Sequence, residues 1–293
     1  MTSKSFSSAI LDKLLNVFAD RFNNDLSTFT PLYIRDIHLG FVNETFAQLI
    51  KRDIDTVEYK DGKLNIPAQT WILASDLLQN TALGWHESGA YDGWRNEKFT
   101  VTDISGNPLF DLERSAFRPL GFLSHAIHIN AWLERNQQQY FWIGKRSPFK
   151  AVSPNKLDTL VGGGIAAGET IFQATIREGF EEAGLPEKYI KNPIPSGQIF
   201  SLRKVHRGLH REILHIFDIL LPDNWQPENQ DGEVAGFTLM SPNEIVHAII
   251  NDEFMNDAAL ALLNTMQRQG YIDENHQLNQ FLTQLEQDAE SWK

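Results

Sequence analysis

The first apolar positions recur at helical spacing: Ile10, Leu14, Val17, Phe18 and Phe22 form one stripe and predict an amphipathic N-terminal helix. Two short apolar runs follow, at residues 31–34 and 39–42, and read as strands. Thr45 to Ile50 opens a second helix, and residues 64–78 combine a short strand with another helix. Residues 84–95, rich in Gly, Trp and His, read as an irregular loop. Residues 99–104 and 109–112 pair across Ser105-Gly106-Asn107-Pro108, a strong turn signal.

Near residues 113–118 the pattern changes, which sets a boundary there. Residues 126–132 and 140–145 alternate as strands around a polar turn, and 157–161 is a further short strand. That strand runs into Gly162-Gly163-Gly164 and, past Gly168, into a helix over about residues 170–183. Residues 199–204 and 212–221 read as a hairpin around Arg207-Gly208-Leu209, and residues 237–240 as one more strand. Ser241-Pro242-Asn243-Glu244 carries a serine cap, a proline at the first helical position and a glutamate at the third, so a helix begins there. The C-terminal stretch is mainly helical. The expected fold is α/β, a mixed sheet with helices on its faces, preceded by a smaller α+β segment. The expected division is 1–115, 116–262 and a helical extension at 263–293.

Composition narrows the function. With 38 acidic and 26 basic side chains the formal charge is −12, which disfavours nucleic acid and anionic membranes as partners. There is no cysteine, which removes disulfides, thiolate metal sites and cysteine nucleophiles. No apolar run approaches the ~18 residues of a membrane helix, and a cytoplasmic location is expected.

The chemistry is concentrated in GGIAAGETIFQATIREGFEEAGL, beginning at Gly163. On a helical wheel Glu181 and Glu182 fall within ~60° on either side of Glu178, so three carboxylates share a face. Phe172, Ile176, Phe180 and Ala183 gather opposite and are expected to face a core. Three carboxylates this close repel one another, and a hard divalent cation, Mg²⁺ or Mn²⁺, relieves the repulsion. Glu169 is placed at the positive helix N-terminus and within reach of Arg177, while Gly184 fits the C-cap. Solvated faces explain most acidic runs. Here seven residue types recur at fixed offsets, a coincidence expected in roughly one in a million chains of this length.

This stretch resembles the Nudix box, G-x₅-E-x₇-R-E-U-x-E-E-x-G-U, and departs from it only at Gly179, where the family has an aliphatic residue. The resemblance implies a Nudix α/β/α sandwich in which Glu178, Glu181, Glu182 and the Gly163 carbonyl hold the metal. It further implies that Glu169, Arg177 and Gly184 shape the loop and that a carboxylate serves as base. Glu181, Glu178 and Glu233, in Asp231-Gly232-Glu233, are the candidates for that base.

Outside the box, segments such as Trp142-Ile143-Gly144-Lys145-Arg146-Ser147 and Arg207-Gly208-Leu209-His210-Arg211-Glu212 resemble a two-domain subgroup. That subgroup is similar to the Nudix part of fungal thiamine pyrophosphokinases and to plant plastid proteins. The resemblance implies hydrolysis of thiamine diphosphate and its oxidised or damaged analogues to the monophosphate and phosphate, and is compatible with a homodimer. Arg146, Arg207 and Arg211, with Lys145, Lys150 and Lys156, are candidate diphosphate clamps. His125, His128, His206 and His210 read as structural, and Trp85, Trp94, Trp132 and Trp142 as packing residues. The alternatives are a pyrophosphohydrolase of ADP-ribose or a dinucleotide and a non-catalytic ligand sensor. The isomerase branch of the fold needs a cysteine, which this chain lacks, and ranks below these alternatives.

Overall fold

The computed structural model describes residues 4–22, 25–190 and 194–291. Helix α1 (Ser8–Arg21) carries the expected apolar stripe. It is followed by β1 (Thr30–Ile34), β2 (Ile37–Val42), α2 (Glu44–Asp53), β3 (Glu58–Lys60) and β4 (Lys63–Ile66), which build a four-stranded sheet in the order β2-β1-β4-β3 with α2 alongside. Helix α3 (Trp71–Glu87) runs on through Gly84, Trp85 and His86, where a loop was expected. Burial explains the difference: Trp85 is 2% exposed and its indole N–H donates to Asp53 Oδ2 at 2.7 Å, so packing overrides the local glycine. Strands β5 (Lys98–Thr102) and β6 (Pro108–Glu113) pair antiparallel around the predicted turn.

After α4 (Phe117–Leu120) come β7 (Leu123–Arg135), β8 (Gln138–Arg146), β9 (Leu157–Asp158), β10 (Val161–Gly164) and α5 (Ile171–Ala183). The chain continues with β11 (Gly197–Val205), β12 (Gly208–Leu220), β13 (Val234–Met240), α6 (Pro242–Ile250), α7 (Asn256–Arg268) and α8 (Gln277–Ser291). A seven-stranded mixed sheet runs β11-β12-β7-β8-β13, with β10 on β7 and β9 on β8. Among the described residues only β7 and β12 pair parallel within it, and the other pairings are antiparallel. Along β7 alternate side chains enter different cores. Ile127, Ile129, Ala131 and Leu133 pack toward α5, and Ala126 packs toward α6, α7 and α8. The result is an α/β/α sandwich.

Helix α1 buries Leu11, Leu14 and Phe18 in the core of the C-terminal helices. Residues 32–122 share a separate core around Phe46, Trp85, Phe117 and Phe122. This second core presses on the sheet through close backbone contact at Gly121, whose φ of +60° and Cβ-free face leave room for the Phe41 carbonyl.

Strand β12 begins at Gly208, four residues before the expected start at Glu212. Val205 pairs with Gly208, so Arg207 sits in a two-residue turn while Leu209, His210 and Arg211 lie in the sheet.

Candidate active site

Helix α5 starts with a capping box. The Thr170 hydroxyl accepts from the Gln173 N–H at 3.2 Å, and the Gln173 carbonyl oxygen accepts from the Thr170 N–H at 2.9 Å. It stops at Gly184, which is left-handed with φ 60°, as a C-cap requires. Ala183 is buried and Phe172 and Ile176 pack on the same core as expected, whereas Phe180 is 58% exposed and is corrected. The helix lays its carboxylate side on β10, which turns the buried arc toward the acids and swings Phe180 outward.

Gly163 makes that approach possible. A Cβ there would lie 2.1 Å from the Glu178 carboxyl carbon, so any larger residue would displace the acid. Glu182 is 5% exposed and accepts from the Gly162 N–H at 2.8 Å. Burial raises its pKa to about 8, against the attraction of the Lys150 ammonium 3.5 Å away. Burial also raises Glu178, again more strongly than the neighbouring Arg177 lowers it.

Arg177 fastens the loop. Its Nε–H and one terminal nitrogen donate to the two Glu169 oxygens at 2.6 and 2.8 Å, a bidentate pair. The other terminal nitrogen reaches Glu178 at 2.8 Å and Glu181 at 3.1 Å. These hydrogen bonds from Arg177 hold the Glu169 carboxyl below its ordinary range. Glu233 is brought to the same place by Lys150, whose ammonium contacts it as well as Glu182. Hard oxygen donors converge here with too little fixed positive charge to ionise them all, which fits Mg²⁺ or Mn²⁺.

Glu178, Glu181 and Glu233 form one wall of a cavity of ≈440 Å³ that Phe99, Arg114, Phe117 and Arg118 help to line from the N-terminal side. Arg146 and Arg207 reach this cavity, but both are anchored. Arg146 donates to Asp158 at 2.7 Å and to the Val152 carbonyl at 2.9 Å, while Arg207 donates to the Asp92 carbonyl at 2.7 Å. Arg211 is elsewhere. It is 4% exposed and donates to the carbonyls of Leu39 and Gly121 at 3.1 and 2.8 Å, joining the N-terminal core to the sheet. Its strand position, missed when the hairpin turn was expected further along, is the reason.

Lys156 pairs with Asp252 at 2.8 Å outside the cavity, and exposed Lys145 does not line it either. None of the four named tryptophans reaches the cavity wall. His210 does approach Glu212 and Asp257, with one ligand atom from each lying within 4.8 Å of the others. The Arg118 Nε–H donates to His210 Nδ1 at 3.2 Å, so the imidazole proton belongs on Nε2, the atom facing the carboxylates. A protonated nitrogen does not ligate a metal, and Arg203 already pairs with Asp257. The contributions of Arg118, Arg203 and Asp257 to this cavity carried no signal in the sequence, because no motif or periodicity links them.

A carboxylate helix seated on a glycine-bearing strand, inside a sandwich with a mixed sheet, gathers the oxygen donors that a divalent cation takes. Residues 124–260 match the family described as NUDIX domain. Nudix hydrolase 24, chloroplastic, of Arabidopsis thaliana is 29% identical over 266 residues, covering 86% of this chain and 72% of its own. Nudix hydrolase 20, chloroplastic, of the same plant is 28% identical over 268 residues, covering 86% and 71%. The solved structure of DR0079 from Deinococcus radiodurans has 22% identity and a TM-score of 0.42, covering 57% of this chain and 96% of that one. Among the described residues no helix is long and apolar enough to cross a membrane.

Proposed function

We propose that the protein is a Mg²⁺- or Mn²⁺-dependent hydrolase of thiamine diphosphate and of its oxidised or damaged analogues, releasing the monophosphate and phosphate. The observation that carries the diphosphatase reading is the packing of Glu178 on Gly163 and of Glu182 on Gly162, with Glu178 and Glu181 in the wall of one cavity. The thiamine reading rests on the resemblance of segments such as residues 142–147 and 207–212 to the two-domain subgroup.

In this reading Glu178, Glu181, Glu182 and the Gly163 carbonyl hold the cation. When bound, the cation neutralises diphosphate oxygens and makes a water more acidic. Glu182, whose burial favours the proton, would hold the cation as the carboxylate, and Glu178 would join it. Arg177, fixed by Glu169, keeps Glu178 and Glu181 aimed at one point. The water oxygen bonds to a phosphorus, the bridging P–O bond breaks, and its electron pair leaves with the departing phosphate group. The water's proton goes to a carboxylate. Glu181 and Glu233, which line the cavity with side chains 44% and 46% exposed, are the candidate bases. Residues 30–122 supply the opposite wall as a separate unit, and α1 belongs with the C-terminal helices. The enzyme acts on a small molecule in the cytoplasm, as a monomer or homodimer.

The test is a kinetic comparison of thiamine diphosphate, oxothiamine diphosphate, ADP-ribose and a diadenosine polyphosphate with Mg²⁺. The thiamine compounds are expected to have the higher kcat/KM. A lead of about tenfold or more for ADP-ribose or the dinucleotide would overturn the thiamine reading and leave the diphosphatase standing.

A further inference from the structure

We propose that Arg118, Arg203 and Arg207 form a guanidinium-lined subsite that reads the end of the substrate remote from the diphosphate. This subsite accepts an uncharged ring bearing a hydrogen-bond acceptor and disfavours a cationic one; the inference rests on the diphosphatase reading above.

The three arginines come from different parts of the chain and line the same cavity as the carboxylates. Arg118, on α4, is partly buried, yet among the described residues its only side-chain hydrogen bond is from Nε–H to His210 Nδ1 at 3.2 Å. A guanidinium carries five N–H donors, so its terminal nitrogens present unused donors to the cavity. Arg203 reaches the wall from β11. One terminal nitrogen is held by Asp257, but its Nε is buried without a hydrogen-bond acceptor. Arg207 closes the rim from the hairpin turn, held by the Asp92 carbonyl.

The acids that could satisfy these donors are already engaged. Asp257 accepts from the Ser201 hydroxyl at 2.6 Å and from Arg203, and Glu212 accepts from the Ser124 hydroxyl at 2.8 Å. His210, with Nδ1 occupied by a donor and the ring buried, is neutral, and burial is the main cause of its lowered pKa. Burial is the largest force lowering the Arg118 pKa to about 10; Glu212 and Asp257 oppose it, while Arg203 and Arg207 add repulsion. A ligand acceptor would complete the hydrogen bonding of Arg118, whereas a ligand cation would add to the repulsion.

Sheet register sets the span. Gly163 lies opposite Ile127 on β7, and Glu212, beside the arginines, lies alongside Ser124. Three strand residues separate these positions, or about 10 Å. A ring joined to a diphosphate by a short linker covers that distance.

The experiment measures Mg²⁺-dependent kcat and KM for oxothiamine diphosphate, thiamine diphosphate and ring-free methyl diphosphate, with wild type, Arg118→Met and Arg207→Met. Wild type is expected to favour the uncharged carbonyl-bearing ring over the cationic one by about tenfold or more. Arg118→Met is expected to erase most of that ratio by raising KM for the carbonyl compound with little change in kcat. Arg207→Met, at the rim, shifts the ratio the same way by less. An unchanged ratio in folded Arg118→Met overturns the proposal. Should that variant fail to fold, an unchanged ratio in Arg207→Met does so. Calorimetric binding of oxothiamine monophosphate and thiamine monophosphate reads the subsite without turnover. Loss of the binding preference in the variants supports the subsite even where no diphosphate is cleaved, and equal binding of both monophosphates by wild type overturns it.

Discussion

The two ends of the cavity are made in different ways. At the carboxylate end, Gly163, Glu169, Arg177, Glu178, Glu181, Glu182 and Gly184 lie on one continuous strand–loop–helix. Spacing alone puts the acids on one face, and one ion pair locks the loop. At the arginine end, Arg118, Arg203, Arg207 and Asp257 come from α4, β11, a hairpin turn and α7, and meet only when the N-terminal core packs on the sheet. A site made locally tolerates drift elsewhere in the chain. A site made by assembly depends on the packing of both units, so ligand selectivity should be lost before chemistry when that packing is disturbed.

The sharpest way to break this comparison is to set the two ends against each other kinetically. Glu178→Gln and Glu182→Gln remove ligand charge at constant volume, and each should lower kcat by about 10²-fold or more. Glu169→Gln, which loosens Arg177 without touching the carboxylate cluster, should cost less. Changes at the arginine end should appear mainly in KM. If Glu182→Gln raised KM and left kcat intact, the division of labour would be wrong.

A second effect is electrostatic. Burial moves Glu182 from an ordinary value of 4.5 to about 8, so between those values the metal-free folded chain holds a proton that the unfolded chain releases. Its contribution to stability is therefore fully present below 4.5 and declines as pH rises toward 8. Glu169 acts with the opposite sign at lower pH, since Arg177 depresses it and its contribution is lost on acidification. Melting curves from pH 6 to 8 in chelator should show the decline. Added Mg²⁺ should stabilise more at the upper end, where the ligands release protons readily. A Mg²⁺ effect that shrinks with rising pH would contradict the placement of the cation on Glu182.

The smallest effect concerns Gly179, the one departure from the box. A Cβ there would meet Ile129, Ile190 and Leu185 at 3.4, 3.6 and 3.6 Å, ordinary contact distances. Gly179→Ala should therefore raise stability by ~0.5–1 kcal/mol, measured by urea unfolding, without changing kcat. A loss of stability would mean that this contact is tighter than the geometry indicates.

What was legible in the sequence follows the same division. Helix α1, the β5–β6 hairpin, α6 with its capping box and the box helix were readable because their signals repeat within a few residues. The exposure of Phe180 was not, because the wheel assigns faces without saying which neighbour the helix meets. Arg211 was taken for a clamp because it follows a glycine turn, whereas its strand pairing places it between Leu39 and Gly121. The inner wall around Arg118 was invisible for a related reason: its meaning depends on contacts across most of the chain.

The most direct test of the central claim, that the α5 carboxylates are the hydrolytic centre, is phosphate release from oxothiamine diphosphate across a Mg²⁺ titration. Wild type is compared with Glu181→Gln and Glu182→Gln, each verified as folded by its melting curve. Metal-dependent release by wild type, reduced by about 10²-fold or more in both variants, is the predicted result. Near-wild-type release by both folded variants would contradict it.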